Sequence, residues 1–265
     1  YFIIKGSEKT VLGQERTAEN KIYCFDGKNT TKWSWMAEIK SVPDYKCISP
    51  KQVEMMISNK HGGIYIQIPR IKIPIELFTL FRAFGVLSDK QICEYIVYDV
   101  DHEKNKRIIE FLMSSIVDGS KYMTQEAALQ HIVSNVAYTP LNMDRETGQR
   151  KKREFTLEVL KNDLFPHCSQ PAQKLYLVGL MTSKLIKTSF GWLPQDDRDS
   201  YLNKRIELTG TLLNNLFRNY FNKLLKEMQK LIVREINTSS WRSSHDYENI
   251  ININNNNKCW WNYNY

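Results

Sequence analysis

The sequence predicts an α+β protein: short antiparallel strands in the N-terminal third, a mostly helical region after them, and a long amphipathic helix near the end. Three observations carry this. Between Lys21 and Ile68 the texture is that of strands, clearest where Ile64, Ile66 and Ile68 alternate with Tyr65 and Gln67, the period of a strand with one buried face. At Pro74 the spacing changes to that of helices. From Thr211 to Ile236 apolar residues recur at i, i+3 and i+4, enough for about 40 Å of helix.

Tyr1–Ile4 reads as a strand that Gly6-Ser7 turns into a charged run holding Glu8, Lys9, Gln14, Glu15 and Arg16. Gly6 to Thr10 superficially resembles the end of a phosphate-binding loop. Glu8, however, stands where such a loop has glycine, and a carboxylate there repels phosphate, so Lys9 is read as a lysine on a strand turn. The strands expected next are Lys21–Phe25, Trp33–Lys40, Val53–Ile57 and Gly63–Ile68, separated by Gly-, Pro- and Asp-containing turns. Trp33 and Trp35 alternate as a base-stacking platform would, but core or cross-strand packing is the commoner role of such a pair.

Pro74 and Gly85 bracket a helix over Ile75–Phe84. Ser88-Asp89-Lys90-Gln91 reads as a capping box opening Lys90–Tyr98. Further helices are expected over Glu103–Val117, Thr124–Val136, Lys152–Leu164 and Pro171–Phe190. Thr139–Arg153 reads as an exposed loop whose basic run, Arg150 to Arg153, is either a phosphate-contacting or localisation patch or a solvated helix start. On the last helix Arg218, Lys223, Lys226, Lys230 and Arg234 outnumber Glu227 and Glu235, a face that tracks a phosphate backbone or is simply solvated. The Asn-rich stretch 249–265 lacks any periodic core pattern and is expected to be disordered or a loop insertion.

A length of 265 residues suits two modest domains, and 42% hydrophobic with 25% charged residues is ordinary for a soluble globular protein. No apolar run reaches the roughly 20 residues of a membrane span, so no membrane partner is expected. The net charge of +8 permits a polyanionic partner. Five scattered cysteines without a C-x-x-C pair argue against a disulfide framework or a zinc site and for a reducing, intracellular compartment. His167 beside Cys168 reads as a helix-end residue. The chain opens on Tyr1-Phe2-Ile3-Ile4 with no initiator Met and no signal peptide, and is expected to be part of a longer chain.

The densest segment is Gln195 to Gly210, where Asp196, Asp197, Arg198 and Asp199 run into Lys204 and Arg205 and then into the long helix. Clustered carboxylates persist only where cations, N–H groups or a metal compensate them. Magnesium or calcium suits oxygen ligands, yet the segment lacks the mid-loop Gly and terminal Glu of a calcium loop. Compensation by Arg198, Lys204 and Arg205 is the preferred reading, making this a structural junction with no metal. No nucleophile–base set, paired carboxylates or dinucleotide loop emerges from spacing, so no catalytic residue is assigned.

Phe2 to Lys9 with Gln14-Glu15-Arg16, then Leu80-Phe81-Arg82-Ala83-Phe84-Gly85-Val86, Tyr98-Asp99-Val100, Leu164-Phe165-Pro166-His167, and Asp196 through Gly210 together resemble the second-largest (beta-like) subunit of multisubunit DNA-directed RNA polymerases. The resemblance covers about residues 1 to 236. It implies that 1–17 is the end of a first protrusion segment, 18–205 a lobe domain, 206–248 the return into the protrusion, and 249–265 a tail. It implies a part of the DNA cleft wall for transcription, partnered by the largest subunit, other polymerase subunits, DNA template and DNA–RNA hybrid. Lys9 would lie near that hybrid, and Arg218, Lys223 and Lys226 complete the expected nucleic-acid contacts. Nucleotidyl transfer with Mg2+ would occur elsewhere in the full polymerase, with no cofactor in this part. Ser200-Tyr201 stands where many members have a His and an aromatic, and the family's fork sequence does not follow Ile236. The Asn-rich tail and compact loops resemble polymerases of large DNA viruses. Against this stand two other readings: a stand-alone basic nucleic-acid-binding protein, and a metal-dependent hydrolase built on the aspartates.

Overall fold

The computed structural model describes residues 1–27, 32–43, 48–139 and 144–237, and the chain divides into two units, residues 17–204 and residues 1–16 with the chain from 205 onward. The Asn-rich tail, Cys47 and Cys259, and Pro140 with Asn142 lie outside the described residues. The smaller unit starts as a hairpin of Phe2–Ile4 (β1) and Ser7–Lys9 (β2), antiparallel with Ile4 opposite Ser7. Lys5 and Gly6 form its two-residue loop with φ of 51° and 77°, the pair of left-handed residues that a twisted hairpin turn requires. Gln14–Thr17 (β3) follows.

The larger unit is built on a five-stranded antiparallel meander: Ile22–Asp26 (β4), Trp33–Ser41 (β5), Lys51–Ser58 (β6), Ile64–Gln67 (β7) and Ile75–Glu76 (β8), in that spatial order. Its register sets one apolar row straight across the sheet, Cys24, Ala37, Met55, Ile66 and Ile75, each fully buried. This row explains why Ile75, expected to open a helix, pairs with Ile66 as a strand instead: the sheet's buried face extends one residue further than Pro74 suggested. Trp35 packs on the core, and Trp33 lies against Tyr65 at a centroid distance of 5.7 Å with Lys32 over its ring.

Helices cover the sheet. Leu77–Ala83 (α1) is buried along its whole length, with Asp89–Val97 (α2), Lys106–Gly119 (α3), Gln125–Ser134 (α4), Arg145–Asn162 (α5) and Pro171–Ser189 (α6) around it. Glu103–Asn105 is a single 3-10 turn ahead of α3. Two sequence expectations change here. Ser88 is the N-cap of α2, but its hydroxyl makes no cap hydrogen bond; Asp89 beside it bonds Arg82 of α1 at 2.6 Å. The expected exposed loop up to Arg153 is helical from Arg145, because Arg, Glu, Gln and Lys are good helix formers even where apolar periodicity is missing. Its basic run is occupied: Arg153 forks onto Glu126 of α4, Arg150 lies 4.0 Å from Glu154, and Lys152 donates to the Ser134 carbonyl.

The chain then passes through a 3-10 turn, Tyr201–Asn203, into Lys204–Glu207 (β9) and Thr209–Asn237 (α7). In the smaller unit β3 pairs with β9, and Arg16 Nε meets Glu207 Oε1 at 3.1 Å. The unpatterned sequences Gln-Glu-Arg-Thr and Lys-Arg-Ile-Glu gave no strand signal. None of the described helices is long and apolar enough to cross a membrane.

Arg82 is the charged pin of the helical layer. Its guanidinium is fully buried, donating to the carbonyls of Gly119 and Tyr122 at the end of α3 and to Asp89. The Gly119 carbonyl also accepts the Tyr122 N–H at 3.0 Å, and a cation beside it suits the dipole at the C-terminal end of α3. Arg82→Met should lower unfolding free energy by about 2–4 kcal/mol in urea denaturation; a change within about 0.5 kcal/mol would show that Arg82 is not holding this layer.

Candidate junction and nucleic-acid interface

β4 is an edge strand of the five-stranded sheet, and its outward backbone groups need partners. After α6 the chain turns at Gly191, φ 73°, and Asp196 returns to that edge. The Asp196 N–H donates to the Cys24 carbonyl at 3.1 Å, and its Oδ2 accepts the Cys24 N–H at 2.9 Å. Lys184 of α6 donates to the same oxygen at 2.7 Å and to the Ile22 carbonyl at 2.7 Å. The Asp196 backbone N–H, its carboxylate and the Lys184 ammonium thus each close one outward group of β4.

The neighbouring aspartates act differently. Asp197 Oδ1 accepts the Asp199 N–H at 2.8 Å, and its carbonyl accepts Asn203 Nδ2 at 2.6 Å. Asp199 is almost fully exposed, with Lys204 Nζ at 3.9 Å. Arg198, expected to neutralise the cluster, turns instead to Glu38 of β5 at 3.0 Å and lies over the Phe25 ring at 4.0 Å. Arg205 is the first residue of the smaller unit's return segment. The cation on Asp196 is Lys184, which sequence reading missed; the signal was a lysine flanked by the buried Met181, Leu185 and Ile186 on α6. The aspartates do not fit a magnesium site. Asp196 is committed to an ammonium and a backbone N–H, Asp197 to its own turn, and among the described residues no group of His, Cys, Asp or Glu side chains converges with ligand spacing.

Burial also decides the thiols. Cys24, beside this junction, is pushed up to about 11 mainly by burial, with Lys184 opposing and Asp196 adding to the shift. Cys93 rises to about 11, again mainly by burial. His167 Nδ1 lies 2.6 Å from Ser41 Oγ. The fold does assemble a Ser/His/Asp group that spacing could not reveal: Ser58 Oγ is 3.5 Å from His61 Nδ1, and His61 Nε2 is 3.1 Å from Asp118. Tyr65 donates to the same carboxylate at 2.8 Å, and burial, followed by that bond, raises its phenol. The Ser58 hydroxyl is buried and accepts the Lys60 N–H, so the group pins the β6–β7 hairpin to α3 and is not arranged to attack a substrate.

The expected nucleic-acid residues occupy two elements of the smaller unit. Lys9 is exposed at the end of β2, and Lys223 and Lys226 are exposed on α7. At about 100° per residue, Lys223, Lys226, Lys230 and Arg234 share a stripe roughly 80° wide. Arg218 falls about 140° from Lys223 and does not belong to it.

Residues 18–207 fit the model for RNA polymerase Rpb2, domain 2, and the chain belongs to that family. Similar proteins include the DNA-directed RNA polymerase II subunit RPB2 of Encephalitozoon cuniculi, 35% identical over 88% of this chain and 20% of that protein. The DNA-directed RNA polymerase subunit 2 of Acanthamoeba polyphaga mimivirus is 27% identical over 87% of this chain and 20% of its own length. The Rpo2N subunit of Methanococcus vannielii is 30% identical over 89% of the chain and 45% of its length. The chain thus spans about a fifth of the first two. Eukaryotes, a virus and an archaeon all supply relatives, so the likeness singles out no viral source.

Mutation tests the junction, and thiol chemistry tests the burial of Cys24 and Cys93. Asp196→Ala should cost about 2–3 kcal/mol in thermal or urea unfolding and Asp199→Ala less than about 0.5; equal effects would contradict the assignment. In native iodoacetamide labelling at pH 8, Cys24 and Cys93 should stay unmodified by mass spectrometry until the chain is unfolded. Their raised thiols also make stability, full below the unfolded value of 9.0, fall as pH rises toward about 11. Rapid native labelling of either would contradict their burial.

Proposed function

We propose that this chain is a segment of the second-largest subunit of a DNA-directed RNA polymerase and forms part of the wall of the DNA cleft during template-directed RNA synthesis. The observation that carries the reading is the family match over residues 18–207. The division of the chain at Arg16/Thr17 and Lys204/Arg205 supports assigning the larger unit to a lobe and the flanking segments, 1–17 and 206–248, to a protrusion. In this reading the junction fixes the exit of the chain from the lobe. Nucleotidyl transfer, and the Mg2+ it uses, belongs to other parts of the polymerase. The free thiols Cys24, Cys93 and Cys168 suit an intracellular, reducing setting.

Partners follow from the same reading: the largest subunit, other polymerase subunits, the DNA template and the DNA–RNA hybrid. α7 supports an assembly role, since none of its residues is buried although Leu213, Leu216, Phe217 and Phe221 recur along it. Lys9, Lys223 and Lys226 are exposed cations that hold phosphate without reading sequence. Arg218 lies off their stripe and is assigned a lesser contact.

Fluorescence anisotropy with a labelled duplex and a DNA–RNA hybrid tests this. Binding should be weak and sequence-blind, with affinity falling steeply as salt rises. Replacing Lys9, Lys223 and Lys226 together by Ala should make the log–log salt slope shallower by about 2–3. Affinity that survives high salt, a strong preference for one sequence, or an unchanged slope in the triple variant would contradict the proposal.

A further inference from the structure

Where α2 ends beside α6, a cleft of about 440 Å³ opens, with Gly85, Gln91, Glu94, Tyr95, Tyr98 and Tyr176 in its lining. We propose that this cleft is a docking site for an arginine side chain of a protein partner, the guanidinium lying against the tyrosine rings and its N–H groups reaching the Glu94 carboxylate. The inference goes beyond the cleft-wall role and does not depend on it.

The walls are held in place by packing. Gly179 stands one turn after Tyr176 on α6, and a methyl group there would overlap the Tyr95 carbonyl of α2. Glycine therefore lets the two helices approach closely, and the rings of Tyr95 and Tyr176 come to 4.8 Å at 54°. Phe81 supports Tyr95 from the core at 5.8 Å. Gly85, φ 98°, ends α1 without a side chain that would fill the opening; the nearest atom to a Cβ there is Gln125 Nε2 at 3.6 Å.

Tyr98 is held in an unfavourable backbone conformation at this edge. Its φ is 63° and ψ −45°, and the Asp99 N–H donates to the Val97 carbonyl at 2.8 Å, which closes the rarer, strained form of the γ-turn. A bulky residue rarely adopts such a backbone, and strain of this kind persists where surrounding contacts enforce it. They do: the Tyr98 N–H donates to the Glu94 carbonyl at 2.9 Å, and Asn105 Nδ2 bonds the Asp99 carbonyl at 2.7 Å. The ring gains little burial in return, being 61% exposed. Strain spent on holding an exposed aromatic at the rim of a cleft calls for a ligand.

Charge selects that ligand. Among the described residues lining the cleft Glu94 is a carboxylate and none is Lys or Arg. Asp99 and Asp101, both exposed, follow Tyr98. On a chain of net charge +8 this is a local acidic surface. Tyrosine rings would also stack a nucleobase, but these carboxylates repel its phosphate. A cation is attracted both by the ring faces and by Glu94. The planar guanidinium fits better than an ammonium, because it stacks on aromatic faces and forks onto a carboxylate.

The test uses the 265-residue chain with ring-labelled tyrosines, titrated in NMR with acetyl-Gly-Arg-Gly-amide. Parallel titrations use the lysine and citrulline tripeptides and adenosine monophosphate. The arginine peptide should shift the ring signals of Tyr95, Tyr98 and Tyr176 saturably, with the citrulline peptide roughly tenfold weaker and the lysine peptide weaker by about threefold. Glu94→Gln should weaken arginine binding roughly tenfold. Tyr98→Gly should weaken it similarly while leaving thermal stability unchanged or higher, since glycine adopts the strained backbone freely. No saturable shift, equal binding of citrulline, lysine or adenosine monophosphate, or full affinity in Glu94→Gln would overturn the proposal. So would retained affinity in Tyr98→Gly.

Discussion

The exposed edge of β4 is the constraint around which the larger unit is arranged. A sheet edge leaves backbone donors and acceptors open to wrong partners, and proteins cover or charge it. Here the cover comes from the chain's own exit segment. Asp196 pairs with Cys24 through its backbone N–H and its carboxylate, and Lys184 bridges the same carboxylate to Ile22. This contact joins the last helix of the unit to its first strand and fixes the point from which the chain leaves. Of the acidic cluster, Asp196 closes the sheet, while Asp197 holds its own turn and Asp199 faces solvent near Lys204.

Buried charges elsewhere follow the same logic of helix ends. Arg82 takes the carbonyls of Gly119, the last residue of α3, and of Tyr122 just past it. Lys174, buried in α6 and held below the usual lysine range by that burial, donates to the Leu160 carbonyl at 3.0 Å and to that of Lys161 near the end of α5. Asp163, at the C-cap of α5, takes Lys51 at 2.9 Å and Arg70 at 3.1 Å from the sheet side. Each cation answers carbonyls near a helix end or a buried carboxylate, so the helices are fixed in position as well as packed.

Much of this was legible in the sequence. The α+β order holds because β7 alternates with period two and α2, α3, α4 and α6 are amphipathic, and the separated motifs from Phe2 to Gly210 point to the family that the comparison bears out. What escaped was encoded in contacts between distant residues. Lys184 and Asp196 announce nothing individually; only the return of the chain after Gly191 brings them to Cys24. Ile75 was claimed by a sheet row that no local window contains. The first turns of α5 lack apolar spacing, and β3 and β9 lack alternation, so propensity and tertiary pairing decided them. Tyr98 is part of a motif, yet its strained backbone is held by Glu94 and Asn105, and the close approach of Tyr95 to Tyr176 depends on Gly179, about two turns into another helix.

The central claim is that Asp196 and Lys184 form one structural clasp on β4 and not two independent surface charges or half of a cation site. A double-mutant cycle with Asp196→Asn and Lys184→Met, read as unfolding free energy, measures this directly. A coupling of about 1.5–3 kcal/mol, the same with and without millimolar magnesium, is predicted for a partly buried, hydrogen-bonded pair. A coupling below about 0.3 kcal/mol, or one that appears only when magnesium is present, would contradict it.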